Sequence, residues 1–474
     1  MPQDMTSETT LREPSQMAGP AAARYPAESQ ATTHGLLLVL FIVSLLLPIN
    51  FSLGGVRMNP SRLFLLACAI PFALKLFGGR VGGFTWVDRC MLGFVTLMVV
   101  ALIYQHGTKE LAYALSQVLE MFGGYMAGRV MIRGLPDYRL FIRIFLLALL
   151  VMMPFAIYEM SHFRMPITEF LSKAFAVVAF NPQSRFGLRR PQVVFPHAIL
   201  FGLFCSIALA SVFYIYRKHV FRRIVYMGVV LAMTFMALSS APMLSAFLQL
   251  GLITWGKVTR GAWKLLAGIV VTIFISLQLF THRGAFVIFV ETMTLDPSTG
   301  WSRILIWQYG SQNVLAHPLL GIGLNDWVRP YWMDSSVDNF WLLMAMRYGL
   351  PCLFFILATF VLHVTLLIRA KNLGEDAMML RLGYTITLCA LIFLLSTVDV
   401  WDAVSVFVFF FIGAGAFLYT SDQSDSVVAT QTAASPDRPA GPHFSRFPQT
   451  TGRGHRQGLQ SVPSPSSTRT TLQK

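Results

Sequence analysis

From Gly35 to Thr420 the chain is a succession of apolar runs long enough to cross a bilayer, parted by segments that hold most of the charge. Such a chain cannot fold as a water-soluble domain around one core. Charged residues make up 12% of the 474, about half the usual globular share. The expected fold class is therefore all-α: a polytopic membrane helix bundle. A bilayer-length window places about twelve transmembrane helices. They run roughly over 35–53, 61–77, 87–104, 111–131, 138–158, 193–216, 224–238, 242–255, 265–280, 340–367, 378–395 and 403–419. The run 340–367 is long enough to be two helices broken at Gly349-Leu350-Pro351.

The domain expectation follows from composition. Residues 1–34 and 421–474 are rich in Ser, Thr, Pro and Gln, with little to bury, and read as disordered tails around a membrane domain at 35–420. The first apolar run follows a long polar leader, so it reads as a retained span rather than a signal peptide. The net charge of +15 does not call for a nucleic-acid partner, because short cytoplasmic loops of membrane proteins collect Lys and Arg. Cys68, Cys90, Cys205, Cys352 and Cys389 all lie in apolar segments without C-x-x-C spacing. They read as small buried hydrophobes, and no metal site or disulfide framework is expected.

Orientation comes from the basic loops. Arg129, Arg133, Arg139 and Arg143 form one cluster; Arg217, Lys218, Arg222 and Arg223 a second; Lys257, Arg260 and Lys264 a third; Arg369, Lys371 and Arg381 a fourth. Counting spans puts all four on one side. That side is the cytoplasm by the positive-inside rule, and both termini join it. Two long loops, about 159–192 and 281–339, fall on the opposite face. They carry Arg164, Arg185, Arg189 and Arg190, and Arg283, Arg303 and Arg329. Arginine on that face suits an anion, and a guanidinium presents five fixed donors to a phosphate.

The second loop holds GWSRILIWQYGSQNVLAHPLLGIGLNDW, from Gly300 to Trp327. Ile304, Trp307, Val314 and Leu315 can share one helix face, so a helix is expected from Ser302 to Ala316, capped by Ser302. Arg303 would then sit at the helix start, where the dipole also favours an anion. His317 can be a base, a donor, or simply the residue that ends the helix before Pro318. Asp338, before Asn339, can accept a hydroxyl proton or cap the next span. Glu120 lies inside a span, where it is either a proton-relay acid or paired with a polar neighbour such as Gln117.

Arg303, Ile306-Trp307 and the run His317-Pro318-Leu319-Leu320-Gly321-Ile322-Gly323 resemble the signature of the O-antigen ligase and O-antigen polymerase superfamily. SSVDNFWLLMAMRYGLP and RRPQVVFPHAILFG resemble further segments of that family, the latter particularly in exopolysaccharide polymerase-like members. The resemblance implies a metal-independent, inverting C-type glycosyltransferase with no cofactor. It implies a donor glycan on undecaprenyl pyrophosphate at the periplasmic face of the bacterial inner membrane. The acceptor would be lipid A core in a ligase, or another lipid-linked repeat unit in a polymerase. Membrane lipids, a chain-length regulator and export proteins are its further expected partners. Carried over residue by residue, the resemblance makes Arg303 the pyrophosphate ligand, assisted by Arg185 or Arg189. Asp338 becomes the base, with His317 orienting or donating. Two departures favour a polymerase over a ligase. Asp338-Asn339 stands where ligases have histidine beside asparagine, and Ser240-Ala241-Pro242 where many members have Ser-Arg. A transporter or lipid-sugar flippase, and a non-catalytic assembly partner, are the rival expectations from other classes.

Overall fold

The computed structural model describes residues 31–53, 56–177, 182–280, 287–288, 297–371 and 373–420. The expected tails, Arg283 and most of the stretch 281–296 lie outside the described residues. Among the described residues the regular structure is helical apart from two short hairpins and one isolated bridge. In order, α1 is Ala31–Leu46, α2 Pro60–Phe77, α3 Trp86–His106, α4 Leu111–Val118, α5 Gly124–Met131, α6 Leu135–His162 and α7 Pro166–Leu171. Then come α8 Ala198–Ser206, α9 Leu209–Ile215, α10 Val220–Met236, α11 Ser240–Val258 and α12 Trp263–Phe280. The last four are α13 Pro297–Ala316, α14 Phe340–Arg369, α15 Glu375–Leu395 and α16 Asp402–Ala414. The hairpins pair β1 Phe51–Leu53 with β2 Val56–Met58, and β3 Ser184–Arg185 with β4 Leu188–Arg189.

Among the described residues, eight helical segments are long and apolar enough to cross a membrane. The difference from about twelve has physical causes. The helix α1 ends at Leu46, before Pro48 and the first hairpin, leaving a short apolar stretch, Gly35–Leu46. The expected spans 87–104 and 111–131 run on as one helical segment, Trp86–Met131. The helices α10 and α11, on either side of the Ala237–Ser239 turn, are not among the eight.

The bundle closes around α16, whose described residues beyond Trp401 and Asp402 are almost wholly buried. Phe407 stacks on Phe145 at 5.5 Å and meets Phe204 at 4.4 Å. The helix α5 crosses α16 without side chains between them. A methyl added to Gly413 would lie 2.1 Å from the Tyr125 carbonyl oxygen, so only a small residue fits there. Two buried ion pairs tie this centre together. Arg129 binds Asp88 at 3.0 Å, and Tyr125 donates to the same carboxylate at 2.6 Å. Glu120 pairs with Arg62 at 2.8 Å, rather than with Gln117.

The expected break in the 340–367 run falls at Gly349, with φ 86° and ψ 170° inside α14. Pro351 has no N–H for the Arg347 carbonyl, and the break removes the partner of the Met346 carbonyl. The loop after α13 replaces both bonds. Ile322 N–H donates to Met346 O at 2.8 Å and Gly323 N–H to Arg347 O at 2.9 Å, while Leu350 N–H turns to Pro318 O at 2.7 Å. The Gly-Ile-Gly run is thus a docking strap for the broken helix. A side chain at Gly349 would meet Leu319 O at 2.1 Å, and one at Gly321 the Arg347 backbone at 2.4 Å.

Members of the basic clusters meet around the end of α9 and the start of α15. Arg139 and Arg217 share Asp376 at the start of α15, and Arg223 and Lys257 both cover the Phe213 ring. Arg381 donates to the Ala370 carbonyl. The other end of α15, about 30 Å away along the helix axis, leads into the loops described next.

Gly349→Ala should destabilise the protein by more than about 2 kcal/mol, since it adds both a backbone clash and left-handed strain. Thermal unfolding in detergent reads this as a lowered midpoint. An unchanged midpoint would mean that the strap does not hold the helix.

Candidate functional site

Arg303 lies in α13, which starts at Pro297 rather than Ser302. Proline is favoured at a helix start because its fixed φ suits the first turn and its missing N–H is not needed there. Ser302 therefore sits inside the helix, its hydroxyl donating back to Ser298 O at 2.9 Å, and it caps nothing. The expected help of a helix N-terminus for Arg303 is absent, because Arg303 stands almost two turns in. Its surroundings supply a different reason to hold an anion. The side chain is largely enclosed and its Nε has no hydrogen-bond partner. Burial lowers the Arg303 pKa, Asp338 acts to raise it, and Arg185 lowers it further. Three of the five residues singled out from the sequence are therefore electrostatic neighbours. An unmet buried donor costs about 1–3 kcal/mol, so an acceptor there would be bound favourably.

Arg185 comes from the β3–β4 hairpin. Phe186 and Gly187, at φ 56° and 75°, make the tight turn that returns the chain. Its guanidinium donates to Leu238 O at 2.9 Å, in the turn leading into α11. Arg190 follows the hairpin and reaches the same turn, donating through Nε to Ala237 O at 3.3 Å and through Nη1 to Gln183. Burial, then Arg185, lowers the Arg190 pKa to about 10. The two side chains hold guanidinium groups at the start of α11, where Ser239 makes no side-chain cap. Nearby, His197 caps α8 through its ring, accepting from Ile199 N–H at 3.1 Å. Burial and then Arg190 lower its pKa to about 4, so it is neutral at physiological pH.

Arg189 is placed differently. Its Nε lies 3.3 Å from Glu159 Oε1, and its Nη1 donates to Phe163 O. Glu159 also accepts from Val193 N–H at 2.9 Å. The Arg189 charge is thus already met, and the residue fastens the hairpin to the end of α6. His317 is exposed just past α13, about 20 Å along the helix from Arg303. Its N–H closes the helix on Asn313 O at 3.1 Å, and its carbonyl accepts from Gly321. The structure does not bring His317 beside Arg303.

Asp338 precedes Asn339, whose side chain caps α14 by accepting from Leu342 N–H at 3.0 Å. The neighbour does the capping, which leaves the Asp338 carboxylate for other work. It borders a cavity of about 390 Å³ together with Arg347, Asp399, Trp327 and Trp401. Burial raises the Asp338 pKa against the pull of Arg303, and Asp334 adds to the rise. Asp399 is raised to about 7 by burial, opposed by Arg347 and by the Val400 N–H, and pushed up by Asp338. Arg347 and Asp399 are not singled out by the sequence as site residues, whereas Arg190 is named there only among the loop arginines that suit an anion. A lone arginine inside an apolar run was a usable signal for Arg347. The polar break Thr397–Asp402 was one for Asp399.

No family model matches this chain, and no curated protein matches it. The described residues set arginines and carboxyls within electrostatic reach of one another. Arg303 and Arg185 are the guanidinium groups, and Asp338 and Asp399 are carboxyls of raised pKa that border one cavity.

The high pKa of Asp399 sets a sign for stability. An unfolded Asp titrates near 4, so folding favours its protonated form, and this contribution is present at low pH and lost as pH rises towards about 7. Asp399→Asn removes that loss while keeping an acceptor for Val400 N–H. Its unfolding midpoint should exceed that of the wild type by more at pH 8 than at pH 5. An equal offset at both would show that Asp399 titrates normally.

Proposed function

We propose that the chain is an inner-membrane glycosyltransferase. It transfers or polymerises undecaprenyl-pyrophosphate-linked oligosaccharides at the periplasmic face, in exopolysaccharide or O-antigen assembly. The observation that carries this reading is the enclosed Arg303, its Nε unmet, with Arg185 and Asp338 as electrostatic neighbours and Asp338 bordering a cavity. A pyrophosphate needs several donors held in a partly dry place, and a hydroxyl nucleophile needs a nearby acceptor for its proton. The guanidinium groups and carboxyls gathered at one end of a membrane bundle support this reading, since a lipid-linked donor would present its head there. The resemblance of Arg303 and the His317–Gly323 run to the O-antigen ligase and polymerase superfamily supports the same reading.

In this reaction an acceptor hydroxyl oxygen attacks the anomeric carbon as that carbon's bond to the pyrophosphate oxygen breaks. The departing pyrophosphate keeps the electron pair. Arg303 and Arg185, assisted by Arg190, meet the charge it gains. Asp338 takes the hydroxyl proton, and its raised pKa makes it a stronger base than an exposed aspartate. Asp399 and Arg347 line the same cavity as Asp338. Arg189 and His317 then serve the fold. The basic end faces the cytoplasm on this reading, as the positive-inside rule favours. Asp338 in place of the ligases' histidine favours a polymerase acting on lipid-linked repeat units over a ligase acting on lipid A core.

Purified protein in nanodiscs, given an undecaprenyl-pyrophosphate-linked repeat unit, should yield a ladder of longer lipid-linked glycans. Arg303→Ala should lower the rate by about a hundredfold or more while folding normally. Asp338→Asn should do likewise. A single product appearing only with lipid A core would make the enzyme a ligase. Full activity in Arg303→Ala, or lipid flipping without any covalent product, would sink the proposal.

A further inference from the structure

The basic end of the bundle contains a walled cavity that the reaction above does not use. It has a volume of about 230 Å³ and lies between the start of α6, the end of α9 and the start of α15. Arg139, Arg143, Arg217, Lys218 and Arg222 line it. Two carboxylates answer them. Asp376 binds Arg139 and Arg217, each at 2.7 Å, and Glu375 takes the other Arg217 nitrogen at 2.6 Å. These bonds fix Arg139 and Arg217 in place and leave the cavity with an excess of positive charge. Arg143 and Arg222 have no carboxylate partner among the described residues, and Lys218 reaches Asp376 only at 3.9 Å. A topological signal needs only cationic loops near a helix end. It does not need cations from separate loops gathered into one cavity.

The surface beside the cavity narrows the ligand. Leu147 and Val151 follow Arg143 by one and two turns of α6 on the same face, and they are 62% and 57% exposed. Phe221 and Ile224 on α10 flank Arg222 and are similarly bare. A free anion would use only the cations. A molecule with a phosphate head and hydrocarbon tails would use both surfaces.

We propose that this cavity binds the phosphate headgroup of an anionic membrane lipid, whose acyl chains lie along the exposed apolar strips of α6 and α10. Basic pockets between transmembrane helices suit such headgroups. The site is independent of the glycosyl-transfer reading, since it lies at the opposite end of α15 from Asp399.

The test uses full-length, delipidated protein. Native mass spectrometry should show retained cardiolipin or phosphatidylglycerol in preference to phosphatidylcholine. Added anionic lipid should raise the unfolding midpoint, whereas inorganic phosphate at equal concentration should not. The double variant Arg143→Gln/Arg222→Gln should bind the anionic lipid about twenty- to thirtyfold more weakly, as expected for loss of two headgroup-facing cations. The control Arg80→Gln/Arg369→Gln, outside the cavity, should bind as the wild type does. Equal loss in both double variants would make the effect one of bulk charge and overturn the proposal. So would an equal response to phosphate alone, or retention without headgroup preference. The wild-type competition between lipids decides the matter even if the double variant misfolds.

Discussion

The structure depends on a helix that is broken and repaired by another part of the chain. Gly349 and Pro351 together remove two backbone bonds from α14, inside a segment apolar enough to lie in a membrane. Unpaired carbonyls there are costly because no water replaces the lost partners. The Pro318–Gly323 strap supplies N–H groups to Met346 and Arg347 and a carbonyl to Leu350. His106 and Gln105 from α3 then clamp the strap, accepting from Leu324 N–H at 2.7 Å and donating to Gly321 O at 2.5 Å. One set of bonds thus joins α3, α13 and both halves of α14. It sets where α13 carries Arg303 and where the start of α14 carries Asp338.

That dependence reassigns part of the motif-like stretch. Its glycines take left-handed dihedrals, with φ 63° at Gly321 and 64° at Gly323. Their role is close backbone approach, because side chains at Gly321 and Gly349 would collide with the main chain opposite. His317 belongs to the same device through its backbone. Charged chemistry is left to the residues on either side of the strap.

Much of the helical plan was legible, because runs such as those behind α6, α14 and α15 have bilayer length and few charges. The break in α14 was legible too, from a glycine and a proline two positions apart. The start of α13 was not, because the serine before Arg303 looks like a cap while Pro297 five residues earlier is the stronger start. Arg185 and Arg189 could not be told apart in sequence. They lie on different strands of one tight hairpin, so one reaches Leu238 and the other Glu159, and those partners are far away in the chain. Asp399 and Arg347 escaped notice for a related reason. Each is a single charge beside an apolar run, and only the packing of α14 against α15 brings them to the cavity that Asp338 shares.

The two ends of the bundle handle similar charges in opposite ways. At the basic end, Arg217 has two carboxylates within 2.7 Å and Arg139 has one. At the other end, Arg303 keeps an unmet Nε, and its electrostatic neighbours include another arginine. Exposed ion pairs contribute little, so the first arrangement chiefly fixes side-chain positions. The second opposes folding, because an enclosed guanidinium repelled by Arg185 lacks full compensation. A fold holds such a charge in place only if other interactions exceed its cost. Here the hairpin bonds, the Glu159–Arg189 clamp and the strap across α14 supply them. An anion arriving at Arg303 would relieve that unfavourable term, so binding there and stability of the loops at that end should be coupled.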